Sequence, residues 1–454
     1  MTRYDLIVIG SGPAGYVPAI RASQLGARVA VVEEEDLGGT CLNRGCIPTK
    51  TLAATADLLH AARTAGRMGL RGSLELDFPA VARRRDMVVT RLRKGIEARM
   101  AGLGIEVLGG RASLKAADAV AVGGEVFQAA NILLATGSQP AFPGPLRVEG
   151  ALSSTEVLAW KELPRSLAIV GGGVVGCEFA SILATFGVTV TILEMLDDIL
   201  PGIDPDVRKV LRNALSRQGV RIETGRAAAS AEAGPGHSRV VLSDGAVVEA
   251  EALLVAAGRI PRLDLEGLSE VGVEFDRRGI RVDSSMKTSV DGIYAAGDVT
   301  GQWQLAHAGS AQGLTAVTGM FGKACGRPAP DPDRMPACVF TIPEVASVGP
   351  GEEEWVRRGV PVEVRKSAYV SNGRAMGLGE TDGMVKLIAH AGTGRLIGVQ
   401  IVGRDASSLV GEALVAVNSG IEASRLGEMV HPHPTLTELF MEAGEDFGPG
   451  AIHG

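Results

Sequence analysis

The chain is poor in cysteine, with five in 454 residues, and that scarcity excludes a secreted disulfide scaffold. It has no excess of cations: a net charge of −7 argues against a nucleic-acid footprint or an anionic membrane partner. No run approaches the ~18 apolar residues that a membrane helix needs. Nothing of the basic, apolar and cleavage-site type stands before the first strand at Tyr4, so a cytoplasmic location is expected.

What is present is globular, with 46% hydrophobic and 21% charged residues, and the length suggests about three domains of roughly 150 residues. The organising signal is internal. Gly10-x-Gly12-x-x-Gly15 follows the apolar strand YDLIVI, and Glu33 closes the next strand, RVAVV; Gly171-x-Gly173-x-x-Gly176 follows SLAIV, and Glu194 closes VTVTILE. Strand, glycine triplet, helix, strand and terminal acid recurring at one offset read as two Rossmann units, whereas a single glycine triplet would be weak evidence. ILLATGSQP (132–140) and LLVAAGRIP (253–261) repeat a second element, an apolar strand running into a small-residue turn.

GIYAAGDVT (292–300) reads as the first unit resuming, so the second is inserted into the first. The expected architecture is α/β, with a first nucleotide domain over 1–150, a second over 151–266, a return to the first over 267–334, and an α+β domain over 335–454. Pro-rich 327–336 reads as the linker to that last domain.

Two cysteines, Cys41 and Cys46, stand five apart in GGTCLNRGCIPTK (38–50). Residues five apart in an ideal helix lie ~8–9 Å from one another, beyond the ~7 Å limit for the Cα atoms of a disulfide. A bridge there needs distorted backbone, which Gly45 and Pro48 supply. Cys177, Cys325 and Cys338 stand alone and read as buried apolar thiols.

At each fingerprint the glycines admit a pyrophosphate to a helix N-terminus, and the following acid takes ribose hydroxyls. Glu194 would repel a 2′-phosphate, and Met195 to Val207 holds no Lys or Arg to rescue one, so NADH is favoured over NADPH. Two dinucleotide sites beside a thiol pair suggest a nicotinamide, a flavin and a redox-active disulfide acting in series. A bridge that merely staples a turn and a metal pair are the bland alternatives; no neighbouring His or Cys completes a metal set, so no metal is expected. His433 and Glu438 lie in HPHPTLTELF, where Thr435-Leu-Thr-Glu438 reads by spacing alone as a capping box. A thiol enzyme nevertheless needs a base near neutral pH, and histidine suits that role.

Taken together, GGTCLNRGCIPTK, VGGGVVGCEFA, YAAGDVTG, FTIPEVASVG, GRAMGLGETDGMVKLI and HPHPTLTE resemble the pyridine nucleotide-disulfide oxidoreductases over essentially the whole chain, most closely the branch that reoxidises dihydrolipoamide. The resemblance implies FAD at Gly10, Gly12, Gly15, Glu33, Lys50, Ala112, Thr136, Gly137, Asp298 and Ala306. NAD would sit at Gly171, Gly173, Gly176, Glu194, Gly258 and Arg259. It implies Cys46 as the flavin-side thiol, Cys41 as the thiol that exchanges with substrate, and Lys50–Glu178 as an ion pair beside the flavin. Cys41, near a helix start, would have its thiolate favoured by the dipole. His433, oriented by Glu438, would serve the thiols of a second subunit in a homodimer with a C-terminal dimerisation domain. The implied partner is a lipoyl-bearing carrier protein, expected to come in trans.

Three residues depart from the pattern. Pro18 falls inside the first fingerprint helix and predicts a kink near Ala14; Val174 replaces a common aromatic at the nicotinamide pocket; Arg262 stands where Asn is usual. Another disulfide reductase of the same family, or a non-catalytic NADH-binding flavoprotein, remains the alternative, although the C-terminal GEDFGPGAIHG lacks the cysteines of two such reductases.

Overall fold

The computed structural model describes residues 3–322 and 329–453. The first unit is a seven-stranded sheet with a parallel core of Glu106–Gly109, Val29–Glu33, Arg3–Ile9 and Glu125–Leu134 in that order. Its central strands are largely apolar because both faces are covered: Leu6, Val8, Val29 and Val31 pack against helices, and Ile7, Ile9, Ala30 and Val32 against the strands Ala112–Ala116 and Ala119–Val122. Ile293–Ala295 joins the same sheet beside the C-terminal half of Glu125–Leu134, after the second unit is complete. The second unit is therefore inserted into the first. Its own sheet runs Arg221–Glu223, Thr189–Leu193, Ser166–Val170, Ala252–Val255, all parallel.

The two repeated segments meet each other. Ser138–Pro140 pairs antiparallel with Arg259–Pro261, joining the units directly at the turns that follow their equivalent strands. The last domain is a five-stranded antiparallel sheet, Pro336–Val339, Glu344–Val348, Leu396–Gly403, Met384–His390, Val362–Ala368, packed against the helices Ala406–Ser419 and Glu438–Glu445. Lys386, inside that sheet, is buried among Asp204 (2.9 Å), Asp206 (3.2 Å) and Glu352 (2.8 Å), so the second unit and the last domain share one ion cluster.

The fingerprint glycines repeat atom for atom. A Cβ on Gly10 would lie 2.4 Å from the Ala135 carbonyl oxygen, and one on Gly171 2.3 Å from that of Ala256. Gly15 and Gly176 would each place a Cβ 1.9 Å from the carbonyl oxygen of their unit's first glycine. Only glycine lets helix and strand approach so closely.

Pro18 does not break its helix, which runs from Pro13 to Gln24. Its ring seats against Gly313 of the helix Ala306–Phe321, where a Cβ would meet Pro18 Cγ at 2.7 Å and the Ala14 carbonyl oxygen at 2.9 Å. Packing by the returning segment thus holds the helix through the proline. Among the isolated cysteines, Cys177 is fully buried and its thiol donates to the Gly172 carbonyl at 3.3 Å, as expected of an apolar thiol. Cys338 is only half-buried and borders a cavity, because its strand Pro336–Val339 is the first of its sheet and faces the nucleotide units. Cys325 lies outside the described residues.

Candidate active site

One cavity of about 1440 Å³ runs between the three parts of the chain, larger than the ~300–1,000 Å³ of ordinary small-molecule pockets. Gly10, Gly12, Glu33, Ala112, Thr136 and Gly137 line it towards one end, and Cys41, Cys46, Lys50, Glu178, Asp298 and Ala306 towards the other. Gly15 lies in the fingerprint helix, packed on its own loop. Gly171, Gly173, Gly176, Glu194 and Gly258 stand outside the cavity, which reaches their unit at Val174, Val175 and Glu178. A Cβ on Gly173 would meet nothing within 4 Å, so the second loop is open where a nucleotide would approach. Val174 is 46% exposed at the cavity edge.

The terminal acids are held alike. Glu33 Oε2 accepts the Ser11 N–H (2.9 Å) and hydroxyl (2.6 Å) while Oε1 accepts the Glu35 N–H (3.0 Å). Glu194 accepts the Gly172 N–H at 2.6 Å and the Leu196 N–H at 2.8 Å. Each carboxylate is thus pinned at the tip of its fingerprint loop, with lone pairs left over for hydroxyl donors. Sequence reasoning missed a cation here: the Arg226 N–H donates to the Glu194 carbonyl at 3.3 Å, from 32 residues downstream. Its guanidinium is engaged by Glu223 and Asp244, which leaves it neutralised beside a site meant for an uncharged ribose.

Cys41 sits in the short helix Gly39–Arg44, and Cys46 is the first residue of the helix Cys46–Thr64. Gly45 separates them with φ −147° and ψ −109°, and a Cβ there would lie 2.9 Å from the Thr40 carbonyl oxygen. The backbone is therefore broken between the cysteines, where a continuous helix would hold them apart. Both thiols are free. The Cys41 thiol donates to Cys46, and this hydrogen bond, with Lys50 nearby, brings Cys46 down to about 7 against the pull of burial. Cys41 is pushed up for the same reason, by the hydrogen bond first and then by burial. Cys46, at the N-terminus of a 19-residue helix and with Lys50 nearby, is the thiol of the pair whose ionisation is favoured, whereas the dipole argument favours it at Cys41 in the short helix.

Lys50 reaches across to the second unit, with Nζ 2.9 Å from both carboxylate oxygens of Glu178. Glu178 is buried and also accepts the Phe340 N–H at 2.9 Å, while Lys50 lies 4.5 Å over the Phe340 ring. Phe340, from the last domain, opens the FTIPEVASVG motif, but nothing in the sequence places its backbone on Glu178. Ser138, also missed, donates to Asp298 and accepts from Arg259 Nε at 2.8 Å, which ties Arg259 to Asp298 of the first unit's candidate FAD residues. Burial is the leading cause that raises the Asp298 carboxyl. The helix Ala306–Phe321 opens at the cavity with no side-chain cap, presenting free N–H donors to whatever lies there.

His433 does not line this cavity in its own chain, and its side chain is 78% exposed. Its Nδ1 is 2.8 Å from Glu438 Oε1, and the other oxygen of Glu438 accepts the Thr435 N–H at 2.8 Å. The acid therefore fixes the turn before its helix and holds the imidazole, but the helix begins at Glu438 itself with Thr437 as N-cap, so the capping box expected from spacing is not formed.

The residues present fit the two dinucleotides. Paired glycine cradles admit two pyrophosphates, two pinned carboxylates await ribose hydroxyls, and the cavity extends from one of them to the thiols. No helix among the described residues is long and apolar enough to cross a membrane, and none of their side-chain groups could hold a metal ion. Residues 4–313 match the pyridine nucleotide-disulphide oxidoreductase model and residues 335–444 its dimerisation domain. The dihydrolipoyl dehydrogenase of Chlamydia muridarum is 40% identical, over 97% of this chain and 96% of that protein. That of Thermus scotoductus is also 40% identical, over 100% and 99%. The structure of LpdA from Mycobacterium tuberculosis matches with a TM-score of 0.90 at 28% identity, over 99% of this chain and 100% of that one. The HOCl-induced flavoprotein disulfide reductase RclA from Escherichia coli matches with a TM-score of 0.88 at 30% identity, over 98% and 99%. With the repeated nucleotide folds, the thiol pair between them and these matches over nearly its full length, the chain belongs to the pyridine nucleotide-disulphide oxidoreductase family.

Proposed function

We propose that the chain oxidises dihydrolipoamide, borne on a carrier protein, to lipoamide, and delivers the electrons through the Cys41–Cys46 disulfide and FAD to NAD⁺. The observation that carries this reading is the placement of the thiol pair: Cys41 and Cys46 flank the backbone break at Gly45 and line, with the Lys50–Glu178 ion pair, a cavity both nucleotide units share.

In the oxidised pair, a substrate thiolate attacks Cys41 Sγ. The Cys41–Cys46 bond breaks, and Cys46 leaves as the thiolate that its helix N-terminus and Lys50 favour. The second substrate thiol, once deprotonated, attacks the substrate sulfur of the mixed disulfide. The substrate disulfide forms, and Cys41 departs and takes up a proton. Two electrons have then passed from the dithiol of the substrate to that of the protein. FAD, when bound, takes this electron pair and passes it to NAD⁺ as hydride.

The proton acceptor is His433. A carboxylate is acceptor-only, so Glu438 fixes the proton on Nδ1 and leaves the Nε2 lone pair free as a base. Its exposure, outside the lining of its own cavity, supports a homodimer, in which it completes the site of a second copy through the dimerisation domain. Glu194 and the neutralised Arg226 select NAD⁺.

The test is steady-state NADH formation by the purified flavoprotein with free dihydrolipoamide and with lipoylated carrier domains. Turnover with both and its loss in Cys41→Ser are expected. Preferential reduction of glutathione disulfide by NADPH would overturn the reading.

A further inference from the structure

Arg262 departs from the family pattern, and its surroundings give the departure a consequence. Its Nη2 is 2.7 Å from Glu34 Oε1, on the residue that follows the ribose candidate Glu33. Its Nε faces Asp264 at 3.9 Å, and Asp264 in turn meets Arg111 Nη2 at 2.9 Å, one residue before Ala112, which the family resemblance sets beside the FAD adenine. All four side chains border the cavity. The Arg262 backbone is fixed as well, because its N–H donates to the Gly137 carbonyl at 2.9 Å and its carbonyl accepts the Thr136 hydroxyl at 2.9 Å. Alternating charges therefore run Glu34, Arg262, Asp264, Arg111 along the border of the first nucleotide channel. Glu34 and Arg111 follow neighbouring strands, where the Gly110 N–H donates to the Glu33 carbonyl at 2.8 Å, so the segment of Arg262 and Asp264 is tied by both its charges to that end of the first sheet.

We propose that this line of ion pairs is a strap along the adenosine end of the FAD channel, with Arg262 the positioning residue that retains the cofactor. The inference rests on FAD occupying the first unit. Each pair is part-exposed, so each is individually weak and screened by salt. Their joint effect is on escape, since they tie together the border that an adenosine leaving the channel must pass.

The experiment measures FAD release from the holoenzyme by the rise in free-flavin fluorescence on dilution, at low and high NaCl. Wild-type release should quicken with salt. Arg262→Asn should release FAD about five- to tenfold faster at low salt and lose most of the salt dependence. Glu34→Gln should act in the same direction, and the charge exchange Glu34→Arg with Arg262→Glu should restore part of the retention, which a merely structural role of Arg262 would not. Equal release from wild type and Arg262→Asn, or release indifferent to salt in the wild type, overturns the strap. Failure of the underlying reading looks different: the chain would then purify without flavin absorbance.

Discussion

Replacing Cys41 by alanine should move the thiolate of the reduced enzyme to alkaline pH without destroying it. The hydrogen bond from the Cys41 thiol is the leading cause that brings Cys46 from its ordinary 9.0 to about 7, ahead of Lys50 and against burial. A thiol titrating at 7 is about half ionised at neutral pH, and one titrating at 9 is about 1% ionised, a difference worth roughly 3 kcal/mol. The sign is that of a depressed acid: the thiolate is present above its titration point and lost as pH falls through it. In Cys41→Ala the donor is gone, leaving Lys50 and the helix N-terminus to oppose burial, so the midpoint should rise towards 9. Cys41→Ser keeps a hydroxyl donor and should stay near the wild-type midpoint. The assay is the long-wavelength absorbance between thiolate and flavin in the two-electron-reduced protein, followed across pH. Cys46→Ser should lack the band at every pH. A band that survives in Cys46→Ser and disappears in both Cys41 variants would refute the assignment of the two thiols.

His433→Gln should lose about 10²–10⁴ in lipoamide turnover while NADH still reduces the flavin. Mixing inactive Cys41→Ser and His433→Gln chains under subunit exchange should restore part of the activity, and heterodimers without recovery would mean that His433 serves its own chain. Glu194→Arg should narrow the preference for NAD⁺ over NADP⁺ in paired kcat/KM measurements; an unchanged ratio would remove Glu194 from the specificity argument. Gly176→Ala should impair folding or nucleotide binding, because its Cβ would sit 1.9 Å from the Gly171 carbonyl oxygen, whereas Gly173→Ala, with nothing within 4 Å, should keep a wild-type Tm.

The nucleotide units were legible because their signals are local: glycines at fixed spacing, an acid at the end of the next strand, and apolar strands that announce a sheet covered on both faces. Even the insertion could be read, since GIYAAGDVT can only belong to a sheet already begun. The connections between parts were not. The pairing of Ser138–Pro140 with Arg259–Pro261, the Phe340 N–H on Glu178 and Arg226 beside Glu194 join residues far apart in sequence, and backbone donors carry no residue-type signal at all. At Glu438 the spacing pointed to a cap and the family resemblance to an orienting acid; the carboxylate holds His433 and the Thr435 N–H, but the helix begins at Glu438 itself, so the cap is not formed. For the thiols, proximity to a helix start was too coarse a criterion, because two helices start there and only one is long.

Glu178 gives the site a history as well as a geometry. Its carboxylate is shared by Lys50, 128 residues earlier, and by the Phe340 backbone, 162 residues later, so a chain that stops after the second unit can form the first contact but not the second. Contacts of such sequence separation are made late in folding, because the loops they close must first be paid for in entropy. A nascent chain can thus form its first Rossmann sheet, and expose a reactive thiol pair, well before the lysine beside that pair has its full set of partners. The surroundings of Lys50 and Glu178 are complete only when the last domain brings Phe340 to them.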